Sequence, residues 1–120
     1  MSERTSLIKK LDDVVREIVL LRDSECITCG SRQNLTAGHY LRRRHLTVRW
    51  DLLNVHAQCW ECNSGDDFGR YVAAMLGRFD ADKIEELVAR SRVDYKFTNA
   101  ELQDMLVELK SHLKQLQNKA

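Results

Sequence analysis

Leu7, Leu11, Val14, Ile18 and Leu21 recur at intervals of 4, 3, 4 and 3 with charged residues between them, the period of a single apolar stripe on a helix. The spacing predicts a helix over residues 6–22. Leu102, Leu106, Leu109, Leu113 and Leu116 repeat the same intervals near the other end, and Thr98, Asn99 and Glu101 ahead of them form a capping sequence. Seams of this length suit either an antiparallel helix pair within one chain or a short coiled coil that joins two copies into a homodimer. The middle of the chain lacks that period. Extended stretches are predicted over residues 35–40 and 46–50, with an arginine-rich turn between them. Helical spacing returns with Phe68, Tyr71, Val72, Met75 and Leu76, ending at Gly77, and again after Asp80 with Ile84, Leu87 and Val88.

The pattern predicts an α+β fold, mainly helical, in a single domain over residues 1–120. An N-terminal helix (6–22) and C-terminal helices (80–120) flank a loop-rich centre (24–76). At 120 residues and 43% hydrophobic, the chain can bury one modest core. It contains no run of about 18 apolar residues, and acids interrupt its opening, so neither a membrane span nor a secretory signal is expected. The expected location is the cytoplasm.

A net charge of +1 conceals an uneven distribution. Between Cys26 and Trp50 lie Arg32, Arg42, Arg43, Arg44 and Arg49 with no Asp or Glu, so a polyanion would meet this segment first. Trp50 and Trp60 are expected in the core around the knuckles described next rather than as base-stacking platforms.

Cys26-x-x-Cys29 and Cys59-x-x-Cys62 enclose the basic segment. In a reducing compartment such pairs are more often metal ligands than disulfides. Four thiolates complete the shell of a structural Zn²⁺ and leave no place for water or substrate, so this ion would staple the loop without catalysing a reaction.

His39, Asn54, His56 and Asn63 sit in and just beyond that loop, and the zinc needs none of them. Cys26-x-x-Cys29-Gly30, Ala37-Gly38-His39-Tyr40, Arg43-Arg44-His45-Leu46, Arg49, Asn54-Val55-His56, Gln58-Cys59, Cys62-Asn63, Ser64-Gly65 and Tyr71 together resemble the HNH, or ββα-metal, nuclease superfamily. Within it the chain looks most like the phage NinG/Rap recombination proteins, over about residues 24–92. The resemblance implies a zinc-stapled ββα core in a phage or prophage protein of a bacterial host. It also implies that His39 is the general base, that Asn54 orients it, and that Asn63 binds a catalytic Mg²⁺ or Mn²⁺. The implied activity is phosphodiester hydrolysis on DNA, with branched substrates such as Holliday junctions or D-loops preferred.

The chemistry suits these residue types. An imidazole with a pKa of about 6.5 can take a proton from water, and a carboxamide oxygen suits a hard divalent ion. Each residue also has a plainer role: His39 bonded to a backbone carbonyl, Asn54 holding a turn, Asn63 capping a helix. Many superfamily members carry Asp or His just before the base, whereas this chain has Gly38. Asp67, four residues after Asn63, is a replacement ligand or else a cap for the following helix; His45 and His56 are further candidates. Arg42, Arg43, Arg44 and Arg49 are the expected phosphate contacts. The alternative reading is a zinc-knuckle DNA-binding module without catalysis.

Overall fold

The computed structural model describes residues 2–119. Helix α1 spans Glu3–Arg22 and starts earlier than its apolar stripe because the Ser2 side chain accepts a hydrogen bond from the Thr5 N–H. It buries Leu7, Leu11, Val14, Val15, Ile18 and Val19. Strands β1 (Leu35–His39) and β2 (Val55–Cys59) form an antiparallel pair in register from Leu35 opposite Cys59 to His39 opposite Val55. Helix α2 (Trp60–Gly65) follows β2 directly, then come α3 (Phe68–Arg78), α4 (Ala81–Ser91) and α5 (Asn99–Lys119). No helix among the described residues is long and apolar enough to cross a membrane.

The last helix opens as its sequence predicts. The Thr98 N–H donates to Glu101 Oε1, and the Glu101 N–H donates back to Thr98 Oγ1, so two otherwise orphaned N–H groups are satisfied reciprocally. Leu102 and Leu106 of α5 share one core with Leu7, Leu11, Val14 and Ile18 of α1, and Trp50, Val55 and Ala57 complete it. The two leucine seams therefore pack together within one chain, with Leu109, Leu113 and Leu116 partly buried and Leu21, predicted in the stripe, left 46% exposed beyond the core. Arg4 donates to the Phe97 carbonyl, which places the start of α5 beside the start of α1, whereas the intervals suggested either an antiparallel pair or a coiled coil between two copies. A second core gathers Tyr40, Val48, Tyr71, Met75, Ile84 and Leu87.

The predicted strand over 46–50 is a single 3-10 turn at Leu46–Val48, and the second strand is Val55–Cys59. All five residues of β2 are buried, so no alternation of apolar and polar positions marks it, and His56 and Gln58 disguise it further. The alternation of Leu46, Val48 and Trp50 instead reflects their burial in a wrapped loop. Two further corrections are smaller. Helix α3 runs through Gly77 to Arg78, and Trp60 is 62% exposed rather than part of a core.

Candidate functional site

The first knuckle turns tightly between α1 and β1. The Gly30 N–H donates to the Cys26 carbonyl at 2.9 Å, and Gly30 has φ +79°, a left-handed conformation that favours glycine. The Ile27 N–H donates to the Ala57 carbonyl at 2.8 Å, which docks this knuckle on β2. The second knuckle, Cys59 and Cys62, spans the junction of β2 and α2. All four sulfurs lie within 4.8 Å of one another, and Cys29 Sγ and Cys59 Sγ are 3.7 Å apart. Thiolates about 2.3 Å from one tetrahedral ion stand about 3.8 Å apart, so the cluster fits a metal such as zinc. Burial pushes the Cys26 thiol up, but N–H groups of Cys59, Cys29 and Thr28 outweigh it and bring it down to about 6. Burial and then the sulfurs of Cys59, Cys29 and Cys26 push Cys62 up, a crowding of negative charge that a divalent cation would relieve.

Beside this cluster lies a cleft of about 310 Å³. His39, His45, Asn63, Asp67, Arg42 and Arg44 border it, so most of the predicted site residues share one hollow. His39 Nε2 donates to the Arg49 carbonyl at 2.9 Å, which leaves Nδ1 as the bare nitrogen of the neutral ring, with no partner among the described residues. Burial holds the His39 pKa below the ordinary 6.5, with Arg43 and Arg49 adding to the effect against the Arg49 carbonyl and Asp12. The ring is accordingly neutral at pH 7. Asn63 Nδ2 donates to Thr36 Oγ1 at 3.0 Å, and its carboxamide oxygen is left for another partner. Asp67 caps α3, accepting from the Arg70 N–H at 3.2 Å, while also bordering the cleft; the two roles proposed for it are compatible.

Asn54 and His56 take the plainer of the roles open to them, and Arg49 departs from its expected phosphate contact. Asn54 is fully buried and does not touch His39: its Oδ1 accepts from the Leu41 N–H at 2.7 Å, and Nδ2 donates to the carbonyls of Leu41 and Val48, both at 3.0 Å. It closes the 41–48 loop. His56 lies outside the cleft. Its Nε2 donates to the Leu53 carbonyl at 2.7 Å, Nδ1 accepts from Arg22 at 3.2 Å, and the ring packs on Phe79 and Tyr71. Arg49 turns inward. Its guanidinium holds both oxygens of Asp12, at 3.0 and 2.7 Å, and lies 5.6 Å from the centre of the Trp50 ring, because a half-buried cation needs a partner. Arg42 is exposed and pairs with Asp66 at 2.7 Å, and Arg43 faces a smaller hollow toward Asp12 and Arg16.

Residues 1–119 match the model of the family described as Bacteriophage Lambda NinG protein. The chain belongs to the NinG family. Among curated relatives, "Protein ninG" of Escherichia phage 933W and of Enterobacteria phage VT2-Sa are each 25% identical over 125 residues, an alignment covering 98% of this chain. The chain spans 62% of the length of those relatives. No solved structure matches it.

Sequence reasoning assigned no role to three residues around this site. Asp12 anchors Arg49 and also accepts from Trp50 Nε1 at 2.8 Å, but a lone acid on an amphipathic helix carries no signal of that. Tyr71 donates to the Gly38 carbonyl at 2.7 Å, linking α3 to the strand that carries His39. Gln58 borders the cleft and is only 4% exposed; the resemblance includes it but gives it no role.

Proposed function

We propose that this chain is a divalent-metal-dependent DNA endonuclease of the HNH type. One observation carries the reading: a neutral histidine with a bare Nδ1 borders the same cleft as a carboxamide, a carboxylate and two arginines, beside a cysteine cluster able to fix that geometry. Mg²⁺ or Mn²⁺ held by Asn63 and Asp67 would offset negative charge on the scissile phosphate. His39 takes the proton from the attacking water at Nδ1, and the Arg49 carbonyl keeps the ring in the required tautomer. Arg42 and Arg44 at the rim contact flanking phosphates and make binding salt-dependent. Branched DNA is the proposed substrate class, on the family resemblance alone. A purely DNA-binding module is the rival reading, favoured by the glycine at position 38.

The test incubates labelled four-way junction, duplex and single-stranded DNA with the pure protein, in Mg²⁺, Mn²⁺ or EDTA, beside a His39→Ala variant. Metal-dependent cleavage that the variant loses while still binding DNA is the expected result. Binding without cleavage under either divalent ion would leave only the rival.

A further inference from the structure

Gly38 occupies the position where the superfamily pattern places an acid or histidine, and its own backbone does not require glycine. Gly30 is the only glycine with positive φ among the described residues. The requirement is spatial instead. A Cβ built on Gly38 would lie 2.0 Å from Gln58 Oε1 and 2.8 Å from Gln58 Cδ, far inside van der Waals contact. Gly38 pairs with His56 across the sheet, so Gln58 reaches diagonally along β2 and lays its carboxamide over the Gly38 Cα. The volume a ligand at position 38 would take is filled from the neighbouring strand.

The orientation of that carboxamide is also fixed. Gln58 Nε2 donates to Thr28 Oγ1 in the first knuckle at 2.8 Å, so Oε1 points the other way. Oε1 accepts no hydrogen bond among the described residues, and no fully enclosed side-chain oxygen there is left without a partner, so Oε1 opens onto the cleft that Gln58 borders. An amide oxygen that opens onto a polar cleft from a side chain otherwise buried and held by its nitrogen is positioned to accept a ligand there. Asn63, which borders the same cleft, shows the same arrangement, its nitrogen held by Thr36 and its oxygen left over.

We propose that Gln58 Oε1 is a ligand of the divalent cation in this cleft, taking over from β2 the place of the side chain absent at Gly38. The inference rests on the proposed reading for the presence of a divalent ion in this cleft, and adds one of its ligands. Oxygen donors from two carboxamides and one carboxylate select a hard ion, Mg²⁺ or Mn²⁺, over zinc. With a single formal charge among them they hold it weakly until a phosphate adds its own.

Mn²⁺ binding to the zinc-loaded protein, followed by the electron paramagnetic resonance signal of the free ion, reads this directly. Gln58→Leu is expected to weaken binding at least tenfold with zinc content and melting temperature retained, and Gln58→Glu, nearly isosteric, to tighten it several-fold. Gly38→Asp combined with Gln58→Ala is expected to recover binding by returning the ligand to β1. Leu and Glu variants that both bind within twofold of the parent, or a parent that binds no Mn²⁺, would overturn the assignment. The two readings fail separately. Gln58-dependent Mn²⁺ binding without cleavage of any DNA keeps the ligand and removes the nuclease, whereas cleavage with binding indifferent to Gln58 does the reverse.

Discussion

Two histidines on paired strands sit in environments that differ by one hydrogen bond. His39 and His56 each donate Nε2 to a backbone carbonyl, and burial lowers both pKa values. The His56 Nδ1 is then engaged by Arg22, whose guanidinium also binds both oxygens of Asp23 and the Val55 carbonyl, so that side of the hairpin is a closed polar network sealing α1 to β2. The His39 Nδ1 has no such partner, and its ring borders a cleft. A satisfied ring contributes to stability, while one left half-satisfied beside a cavity is available for chemistry. Asn54 and Gln58 repeat the contrast: the first uses both ends of its carboxamide on the loop, the second only its nitrogen.

The contrast breaks most completely if the metal is removed, because both environments depend on the knuckles. Cys59→Ser, or chelation, removes a binding energy of roughly 10 kcal/mol or more, comparable with the whole stability of a small domain. The expected outcome is loss of the cooperative melting transition together with stoichiometric zinc; an unchanged melt would show the fold stands without the ion. Between the two histidines, His39→Ala is expected to lower cleavage by roughly 10²- to 10⁴-fold with little change in melting. His56→Ala should do the opposite, lowering the melting temperature while the folded protein keeps whatever cleavage the proposed reading gives the parent. If the proposed nuclease reading holds, with a neutral His39 as the base, the cleavage rate should fall on acidification only below the ordinary histidine value, since burial lowers the His39 pKa.

Asn54→Ala strands one buried N–H and two carbonyls, and is expected to cost roughly 2–4 kcal/mol, measured by denaturant unfolding. Preserved stability there would mean the 41–48 loop is held by its apolar residues alone. The smallest effect is one of pH. The folded protein holds His56 at about 4, against 6.5 for the free side chain, mainly through burial. Protons therefore bind the unfolded chain first as pH falls from 6.5 to 4. The contribution of His56 is fully present above that window and lost through it, by at most roughly 3 kcal/mol at about 1.4 kcal/mol per pH unit. His56→Gln should flatten that part of the stability profile; a slope unchanged in the variant would assign it elsewhere.

Much of the framework was legible in the chain. The leucine intervals located α1 and α5, the Thr98 and Glu101 pair announced its own capping box, and each Cys-x-x-Cys announced one half of the cysteine cluster, because each depends on residues a few positions apart. The resemblance also drew His39, Asn63 and Asp67 toward one site, and the cleft gathers them. The second strand was not legible, since burial on both faces erases alternation, nor was the inward turn of Arg49, which answers to an acid 37 residues away.

The sequence alone set which residues can hold a metal, which segments coil and where basic charge collects, all properties of residue type and local period. Only the tertiary structure decided which polar atoms are left without partners. Asn54, His56 and Arg49 are consumed by neighbours distant in the chain, whereas His39 Nδ1 and Gln58 Oε1 are not. A hydrogen bond depends on distance and direction in space, and chain order fixes neither for groups brought together only by folding.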